Sequence, residues 1–393
     1  MGSGSNEIRR IKMAKFGKKN HVSINPLDYS TCLLGEAKCG KTTLIKQVCE
    51  KLTGSQDGYL FLEFGDERGA AAIENINYEN VESWWSDEDE DIVGFADIVE
   101  DICENKSTDY PELKVVIWDT YDQIIPIAET EVIRLYNKTV PADKKAETIN
   151  SAFGGFGRGE KKAMELMWDM KNRLKKVGVE TIIIGHVKTK DVTDTITGEQ
   201  YQILTSDQQQ NYFNALKKQL HFLALAYVDR EIVKEKTGKK DIKGKDIMKS
   251  SIAEETRKIK FRDEGYAVDA GSRFADIVPE IPMDADAFIE AITDAIKAEQ
   301  SKSGKSFEET KAEQDKAEAK RMKEIAEAEE KNKAKKEVDA VIEKINDYLK
   351  ENKADLSKIK PILAKCKEVA GVKTPSELTK LEDALAVLEM IEE

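Results

Sequence analysis

A short run near the N-terminus has the residue types and spacing of a phosphate-binding loop. Residues 35–42 read Gly-Glu-Ala-Lys-Cys-Gly-Lys-Thr, the pattern G-x-x-x-x-G-K-T, and they follow the apolar stretch Cys32–Leu34. Such a loop needs a strand before it, glycines that let backbone N–H groups turn toward phosphate, and a helix N-terminus behind it that favours negative charge. The flanking sequence meets these needs, so a site for a nucleoside triphosphate is predicted here.

The predicted loop binds through its backbone and through two side chains. Gly35 and Gly40 permit the tight curl, and Lys41 can reach the β- and γ-phosphates as a mobile charge. The Thr42 hydroxyl is placed to coordinate a metal ion, so the predicted cofactors are ATP and Mg²⁺. The predicted nucleotide-binding residues are Gly35, Glu36, Ala37, Lys38, Cys39, Gly40, Lys41, Thr42 and Thr43.

A second motif supplies an acid for the metal. Val115–Asp119 is an apolar run that ends in a carboxylate, as expected of a strand whose tip lies beside the phosphate loop. An acid in that place holds the waters around Mg²⁺. We therefore predict that Asp119 and Thr42 bind the metal. Asp122, one helical step further on, is the competing acid and is expected instead to cap the following helix.

A third group of acids offers a general base for hydrolysis. The strand-like run Tyr59–Glu63 leads into a turn that carries Asp66 and Glu67. A base must come within hydrogen-bond reach of a water in line with the γ-phosphate, and a strand tip beside the loop allows this. Glu67 is the first choice, followed by Glu63 and then Asp66. The alternative is that all three acids only cap or solvate the turn.

Short β-branched runs alternate with longer amphipathic segments over the first 280 residues, which predicts a mainly parallel sheet covered by helices, an α/β fold. The clearest helix is Lys161–Val177, whose apolar residues recur at helical spacing. A later helix is predicted at Ala285–Ala298. The predicted strands are Cys32–Leu34, Tyr59–Glu63, Val115–Asp119, Thr181–Gly185, Phe222–Val228 and Ile259–Phe261.

The composition changes after residue 300. Phe307–Lys336 is almost all Glu, Lys, Ala and Gln and predicts a charged helical spacer without a core. Apolar faces beyond it predict a small three-helix bundle, a candidate module for docking a protein partner, with Thr374–Glu377 as the capping box of its last helix. The predicted domains are an N-terminal extension (1–28), a nucleotide-binding core (29–300), the spacer (301–336) and the helical module (337–393).

Charge and composition narrow the function classes. The net charge of −13 over 393 residues argues against a general nucleic-acid surface and leaves only locally basic segments for such contacts. The acidic block Ser86–Asp91 is either a solvated loop or a docking surface for a basic partner. The five cysteines lack metal-site spacing and are interpreted as reduced thiols. No run suits a membrane span or a secretion signal, so a cytoplasmic location is expected.

The order of these motifs resembles the RecA-like branch of P-loop ATPases over Tyr29–Ile296. The resemblance implies that His186, after the apolar run Ile182–Gly185, senses the γ-phosphate. The alternative is that its imidazole is only a hydrogen-bonded cap or a core residue at the end of the strand. A neutral His186 would donate one ring N–H toward a phosphate-bound water. More narrowly, the layout is similar to that of phage-encoded RecA-like ATPases of the single-strand annealing group. Their late Lys-x-Arg pair is matched only by Arg273, because Gly271 stands where the lysine would be.

The resemblance also implies partners. Arg273 would act as a finger in a neighbouring subunit's site, which requires a homo-oligomer; the alternative is an ordinary surface arginine. Two segments are candidates for binding single-stranded DNA. Ser151–Lys162 combines glycines, aromatic rings and cations. Lys188–Gln210 corresponds, by the resemblance, to the part of RecA-like folds that lines the DNA strand. Plain mobile loops are the alternative for both. The candidate DNA-binding residues are Phe153, Phe156, Arg158, Lys161 and Lys162 in the first segment and Lys188 and Lys190 in the second.

Motifs and resemblance together predict a Mg-dependent, oligomeric RecA-like ATPase that acts on single-stranded DNA in phage-type recombination or replication, in the host cytoplasm if a phage encodes it. Two alternatives stay open: an assembly or scaffold protein switched by nucleotide with little hydrolysis, and a helicase or packaging-type motor. The predicted catalytic residues are Lys41, Glu67, His186 and Arg273.

Overall fold

The structure, a computed structural model, describes residues 22–87, 91–194, 197–240, 246–262, 268–353 and 355–392. Most of the predicted N-terminal extension and residues 88–90 of the acidic block lie outside the described residues. The chain divides into two compact units, one within Met1–Asp97 and Glu112–Ala317, the other within Ile98–Pro111 and Glu318–Glu393. All the predicted site residues belong to the first unit.

A ten-stranded sheet forms the framework of the first unit, in the order β10-β8-β7-β1-β5-β4-β2-β3, with β6 on β5 and β9 on β7. From β7 to β3 neighbouring strands run parallel, and the remaining pairs are antiparallel. The strands are β1 Thr31–Gly35, β2 Tyr59–Phe64, β3 Tyr78–Val81, β4 Val115–Asp119, β5 Glu180–Thr193, β6 Gln200–Ser206, β7 Phe222–Lys240, β8 Asp246–Lys260, β9 Gly271–Ser272 and β10 Glu280–Pro282.

The strand register gathers the three motifs at one edge. Gly35 at the end of β1 pairs with His186 on β5, and Asp119 at the end of β4 pairs with Glu63 on β2. Because parallel strands all end at the same edge of a sheet, the loop after β1 and the acids of β2 and β4 meet there.

Helices cover the sheet and bury its apolar side chains. One face packs on α1 and α6 through a core that includes Leu33, Ile45 and Phe288. Trp118, from β4, stacks on Trp168 of α4 at 6.2 Å between ring centroids. No helix in the described part of the chain combines the length and apolar character needed to cross a bilayer. The helices of this unit are α1 Lys41–Thr53, α2 Phe95–Glu104, which continues into the second unit, α3 Tyr121–Thr139, α4 Arg158–Lys176, α5 Gln210–Gln219 and α6 Ala285–Ser301.

The predicted α/β class with a mainly parallel sheet is confirmed, but three strands, β5, β7 and β8, are much longer than predicted. The strand predicted at Ile259–Phe261 is β8, which starts at Asp246 and ends at Lys260. The predicted strand Thr181–Gly185 continues as β5 to Thr193, because Val187–Thr193 pairs with β6 in an antiparallel hairpin. β7 likewise runs on beside β8. The extension of β5 is largely exposed, so the sequence shows no apolar run there. The second candidate DNA-binding segment therefore contains a β-hairpin instead of a plain loop, apart from residues 195–196, which lie outside the described residues.

The second unit has a small helical core of its own. Besides the end of α2, its helices are the later part of α7 (Phe307–Glu351), α8 (Leu356–Ala370) and α9 (Leu381–Glu392). The last three bury Ile345, Cys366 and Val387 among others. The predicted spacer boundary at residue 336 falls inside the uninterrupted α7.

The capping box predicted for the last helix is wrong. Thr374 makes no side-chain cap bond, and Pro375–Glu377 forms only a 3-10 turn. Leu378 is extended after that turn, so α9 starts only at Leu381.

Candidate nucleotide site

The predicted phosphate loop joins a central strand to a helix. β1 lies between β5 and β7, and α1 begins at Lys41 directly after the loop. A Cβ at Gly35 would lie 2.9 Å from the carbonyl oxygen of Ala226, so this close approach of two backbones requires glycine. Gly40 has φ 104°, a left-handed conformation that favours glycine. The loop has the strand-to-helix setting that phosphate binding needs.

Lys41 is turned into the loop. Its side chain is buried, and its ammonium donates hydrogen bonds to the carbonyl oxygens of Gly35 at 3.1 Å and Glu36 at 2.9 Å. An ammonium held there has short reach to a phosphate chain seated on the loop.

The two predicted metal ligands are in contact. The Thr42 hydroxyl donates a 2.8 Å hydrogen bond to Oδ2 of Asp119. Asp119 is 3% exposed, and its burial raises its pKa to about 6, with Glu67 and Glu63 adding to the rise against Lys41 and Thr42. A buried carboxylate with too little positive charge around it suits a cation.

The donor set suits Mg²⁺ in particular. One hydroxyl and one carboxylate are hard oxygen donors, and Mg²⁺ in nucleotide sites takes one or two protein oxygens together with phosphate oxygens and water. Among the described residues no group of three or more His, Cys, Asp or Glu could hold a metal on its own. Thr42 and Asp119 would therefore hold the ion together with the nucleotide.

The three candidate bases occupy different environments. Glu63 is fully buried, with Oε1 accepting the Ala70 N–H at 2.5 Å and Oε2 buried without a hydrogen-bond partner. Burial raises the pKa of Glu63. Glu67 is part-exposed, its Oε1 3.9 Å from Nδ1 of His186, and Asp66 is exposed. Glu67 is thus the acid of this turn that borders both His186 and solvent.

His186 is held by Asp122, an acid whose position in the sequence predicts a helix cap. Its Nδ1 lies 2.7 Å from Oδ2 of Asp122, and its backbone N–H donates to the same oxygen at 2.9 Å. Gln208 donates to the other oxygen of Asp122 at 2.7 Å. Asp122 was expected to cap α3, and that expectation is wrong: its carboxylate joins β5 to the segment before α5. No sequence pattern signals this contact between separate segments.

The arginines near the site also differ from expectation. The Arg273 backbone N–H donates to His221 and its guanidinium donates to the Lys218 carbonyl, both at the edge where β7 begins. That edge is opposite to the phosphate loop, about 13 Å away along a five-residue strand. Arg273 therefore does not meet the loop of its own subunit. Arg257 does, since its Nη1 lies 3.4 Å from where a Gly40 Cβ would be, and only the pairing of β8 with β7 reveals this.

The first candidate DNA segment presents one bare aromatic ring. Phe156 is 100% exposed, whereas Phe153 packs against Tyr136 at 5.0 Å between centroids. Arg158 is exposed and donates to the Phe153 carbonyl, and both lysines are exposed beside Glu165. The two lysines are Lys161 and Lys162.

The second candidate DNA segment is the β5–β6 hairpin. Lys188 and Lys190 are exposed on its β5 strand. The Lys188 ammonium donates to the Asp207 carbonyl at 2.9 Å, and that of Lys190 donates to Gln210 at 3.2 Å. The hairpin is thus tied to the segment that precedes α5.

Comparison with known proteins agrees with this geometry. The model of a family described as an AAA domain, AAA_24, matches residues 27–274, more than half of the chain. The matched span includes the phosphate loop, Asp119, Glu67 and His186. No curated protein matches the chain.

Proposed function

We propose that this chain, which belongs to the AAA domain family and so to the nucleotide-binding proteins of the P-loop ATPase type, binds ATP with Mg²⁺ and hydrolyses it. The observation that carries the proposal is the contact of Thr42 with Asp119 at 2.8 Å beside the buried Lys41. A hydroxyl and an ammonium from the start of α1 and an acid from the end of β4 come together there, as a triphosphate and its metal require.

Each side chain has a role in this proposal. Lys41 neutralises the β- and γ-phosphates, and Thr42 with Asp119 would hold Mg²⁺, which would offset the charge that develops on the phosphate oxygens. A water oxygen forms the new bond to the γ-phosphorus while the bond from that phosphorus to the β,γ-bridging oxygen breaks. Glu67 accepts a proton from the water, so the products are ADP and phosphate. Glu63, buried behind it, is the second candidate for this proton.

We further propose that the active form is a homo-oligomer on single-stranded DNA. The exposed ring of Phe156 and the exposed Lys188 and Lys190 support DNA contact, since aromatic faces stack on bases and lysines meet phosphates. Arg273 supports an oligomer, because it can act only in a neighbouring subunit's site. A place in phage-type recombination or replication rests on the RecA-like resemblance of the sequence.

Binding and turnover are tested separately on the full chain. Calorimetry with MgATP should register binding for the wild type and for Lys51→Ala, a matched control at the other end of α1, and none for Lys41→Ala. Phosphate release should then require Lys41 and rise with single-stranded DNA. Nucleotide-dependent assembly without turnover would favour the scaffold alternative, and unwinding or translocation the motor. Absence of MgATP binding to folded wild-type protein would overturn the proposal.

A further inference from the structure

The Asp122 carboxylate joins two segments that are distant in sequence. It lies in the first turn of α3 with a side chain 12% exposed. The backbone N–H and the ring Nδ1 of His186 both lie within hydrogen-bond distance of its Oδ2, and the Gln208 side chain donates to its Oδ1. The Asp207 N–H also donates to the His186 carbonyl at 3.1 Å, so the segment before α5 is held to His186 once directly and once through Asp122.

This contact decides which ring nitrogen of His186 carries hydrogen. An ionised carboxylate only accepts hydrogen bonds, so Nδ1, 2.7 Å from Asp122, must be the donor. A neutral ring then has a bare lone pair at Nε2 and cannot donate to a phosphate oxygen, which is itself only an acceptor. The expected neutral donor is therefore incompatible with the structure. Nε2 can therefore donate to a phosphate oxygen, or to a water bound to it, only when the ring is an imidazolium.

The charges around the ring favour that form. The hydrogen bond to Asp122 raises the pKa of His186, against burial and the nearby Lys41, and Glu67 adds to the rise. Burial alone would raise the pKa of Asp122, but the hydrogen bonds from His186 and Gln208 together lower it. A γ-phosphate arriving between Lys41 and His186 would add negative charge and stabilise the imidazolium further.

We propose that Asp122 is a positioning residue that makes His186, on β5, a cationic γ-phosphate sensor and, through Gln208, links that sensor to the end of β6 in the β5–β6 hairpin. The inference rests on the proposed function for its phosphate ligand. When the ring moves toward phosphate, Asp122 and the Asp207 N–H move the segment Ser206–Gln210 with it. That segment holds the hairpin through Lys188 and Lys190.

The charge state can be measured by ¹⁵N NMR of the histidine rings in the full chain. His186 is assigned with His186→Gln, since the chain has three histidines. The wild-type ring should show Nδ1–H when neutral and a pKa above its ordinary value, rising again with a non-hydrolysable MgATP analogue. Asp122→Asn keeps the shape but removes the charge, and should lower the His186 pKa. An Nε2–H neutral ring, or the same pKa in both proteins, would overturn the assignment.

The link to the hairpin has its own test, hydrogen exchange with and without the MgATP analogue. The wild type should gain protection in residues 187–193 and 200–206 on binding. Gln208→Ala should keep the wild-type His186 pKa yet lose at least half of that gain, and the exposed Gln202→Ala on the hairpin itself is the matched control. An undiminished gain in Gln208→Ala would refute the link.

Turnover separates this inference from the proposed function. If the chain hydrolyses ATP, Asp122→Asn should lower kcat by about tenfold and flatten its fall at rising pH, with KM nearly unchanged. Unchanged kcat and pH profile would refute the positioning role. If the chain binds ATP without hydrolysing it, the proposed reaction fails, and NMR and hydrogen exchange still decide this inference.

Discussion

Asp119 carries an electrostatic cost that a bound cation would relieve. Its pKa of about 6 in the folded chain lies above the ordinary 3.8 of an unfolded aspartate. Between these values the folded state binds more protons than the unfolded state, so the free energy of unfolding falls as pH rises. At neutral pH the ionised carboxylate therefore costs the metal-free protein on the order of 3 kcal/mol.

Asp119→Asn should therefore stabilise the metal-free protein. We expect a higher melting temperature at pH about 8, a gain of up to about 3 kcal/mol, and almost no gain at pH about 4, where Asp119 is protonated anyway. MgATP affinity should fall because the metal loses its carboxylate. Calorimetric melting across pH measures the first effect, with the exposed Asp169→Asn as control. Loss of stability at pH about 8 would contradict the burial argument.

The general base can be identified by a pair of matched substitutions. Glu67→Gln should lower kcat by about 10² to 10⁴ while MgATP still binds, because only the proton acceptor is removed. Glu63→Gln should act more on stability, since the buried Glu63 accepts the Ala70 N–H. Single-turnover phosphate release and calorimetric affinity separate the two, with the exposed Asp66→Asn as control. A larger fall of kcat in Glu63→Gln would reverse the assignment.

Only part of this site was open to prediction from the sequence. Lys41 and Thr42 stand in a contiguous motif, and Asp119 follows an apolar strand at the expected place, so their grouping needs only the order of parallel strands. The contacts of Asp122 with His186 and Gln208, and the approach of Arg257 to Gly40, depend on register and side-chain direction between segments far apart in sequence. No local pattern encodes those.

Among the secondary-structure elements, the β5–β6 hairpin offers the most direct test of DNA contact. Lys188→Glu with Lys190→Glu should weaken binding to single-stranded DNA and reduce the slope of log affinity against log salt by about 1.4, or about 0.7 for each phosphate that a lysine no longer neutralises. Fluorescence anisotropy at several salt concentrations measures both. Lys176→Glu, exposed at the far end of α4, is the control. An unchanged slope in the double variant would exclude the hairpin as a phosphate-binding element.

The hairpin also shows why some elements were missed. Buried parallel strands such as β1 and β4 are continuous apolar runs and are easily recognised. Among the described strands, the later half of β5 pairs only with β6, and its side chains alternate without an apolar face. The parallel sheet was therefore predictable, whereas the hairpin required knowledge of pairing.

The start of α7 should contribute to the stability of the first unit. Gln314 donates to the Val22 carbonyl at 3.0 Å and accepts the Ile24 N–H at 2.9 Å. Gln314→Ala in the full chain should cost about 1–2 kcal/mol because it removes these hydrogen bonds, with MgATP affinity unchanged. Chemical unfolding measures the cost, and the exposed Gln202→Ala serves as control. If the two variants were equally stable, the start of α7 would not stabilise the first unit. The chain could then be truncated at residue 301 without loss of stability in that unit.

The placement of Arg273 affects how several copies of the chain could assemble. The guanidinium lies at the edge where β7 begins, while the phosphate loop lies where β1 ends. One repeated head-to-tail contact, which gives a closed ring or an open filament, could bring the two together in neighbouring subunits. The acidic net charge of −13 means that such a contact must rely on local complementarity, because whole subunits repel.

Mixing two inactive variants tests this arrangement. Lys41→Ala keeps Arg273 but cannot use its own loop, and Arg273→Ala keeps the loop but lacks the finger. If the arginine acts in trans, an equal mixture should regain a substantial fraction of wild-type phosphate release, because some interfaces pair an intact loop with an intact arginine. Lys41→Ala mixed with Arg257→Ala is the comparison, since Arg257 lies beside its own loop and should not be complemented. Full activity of Arg273→Ala alone, or no recovery in the mixture, would remove the finger role and with it the structural reason for an oligomer.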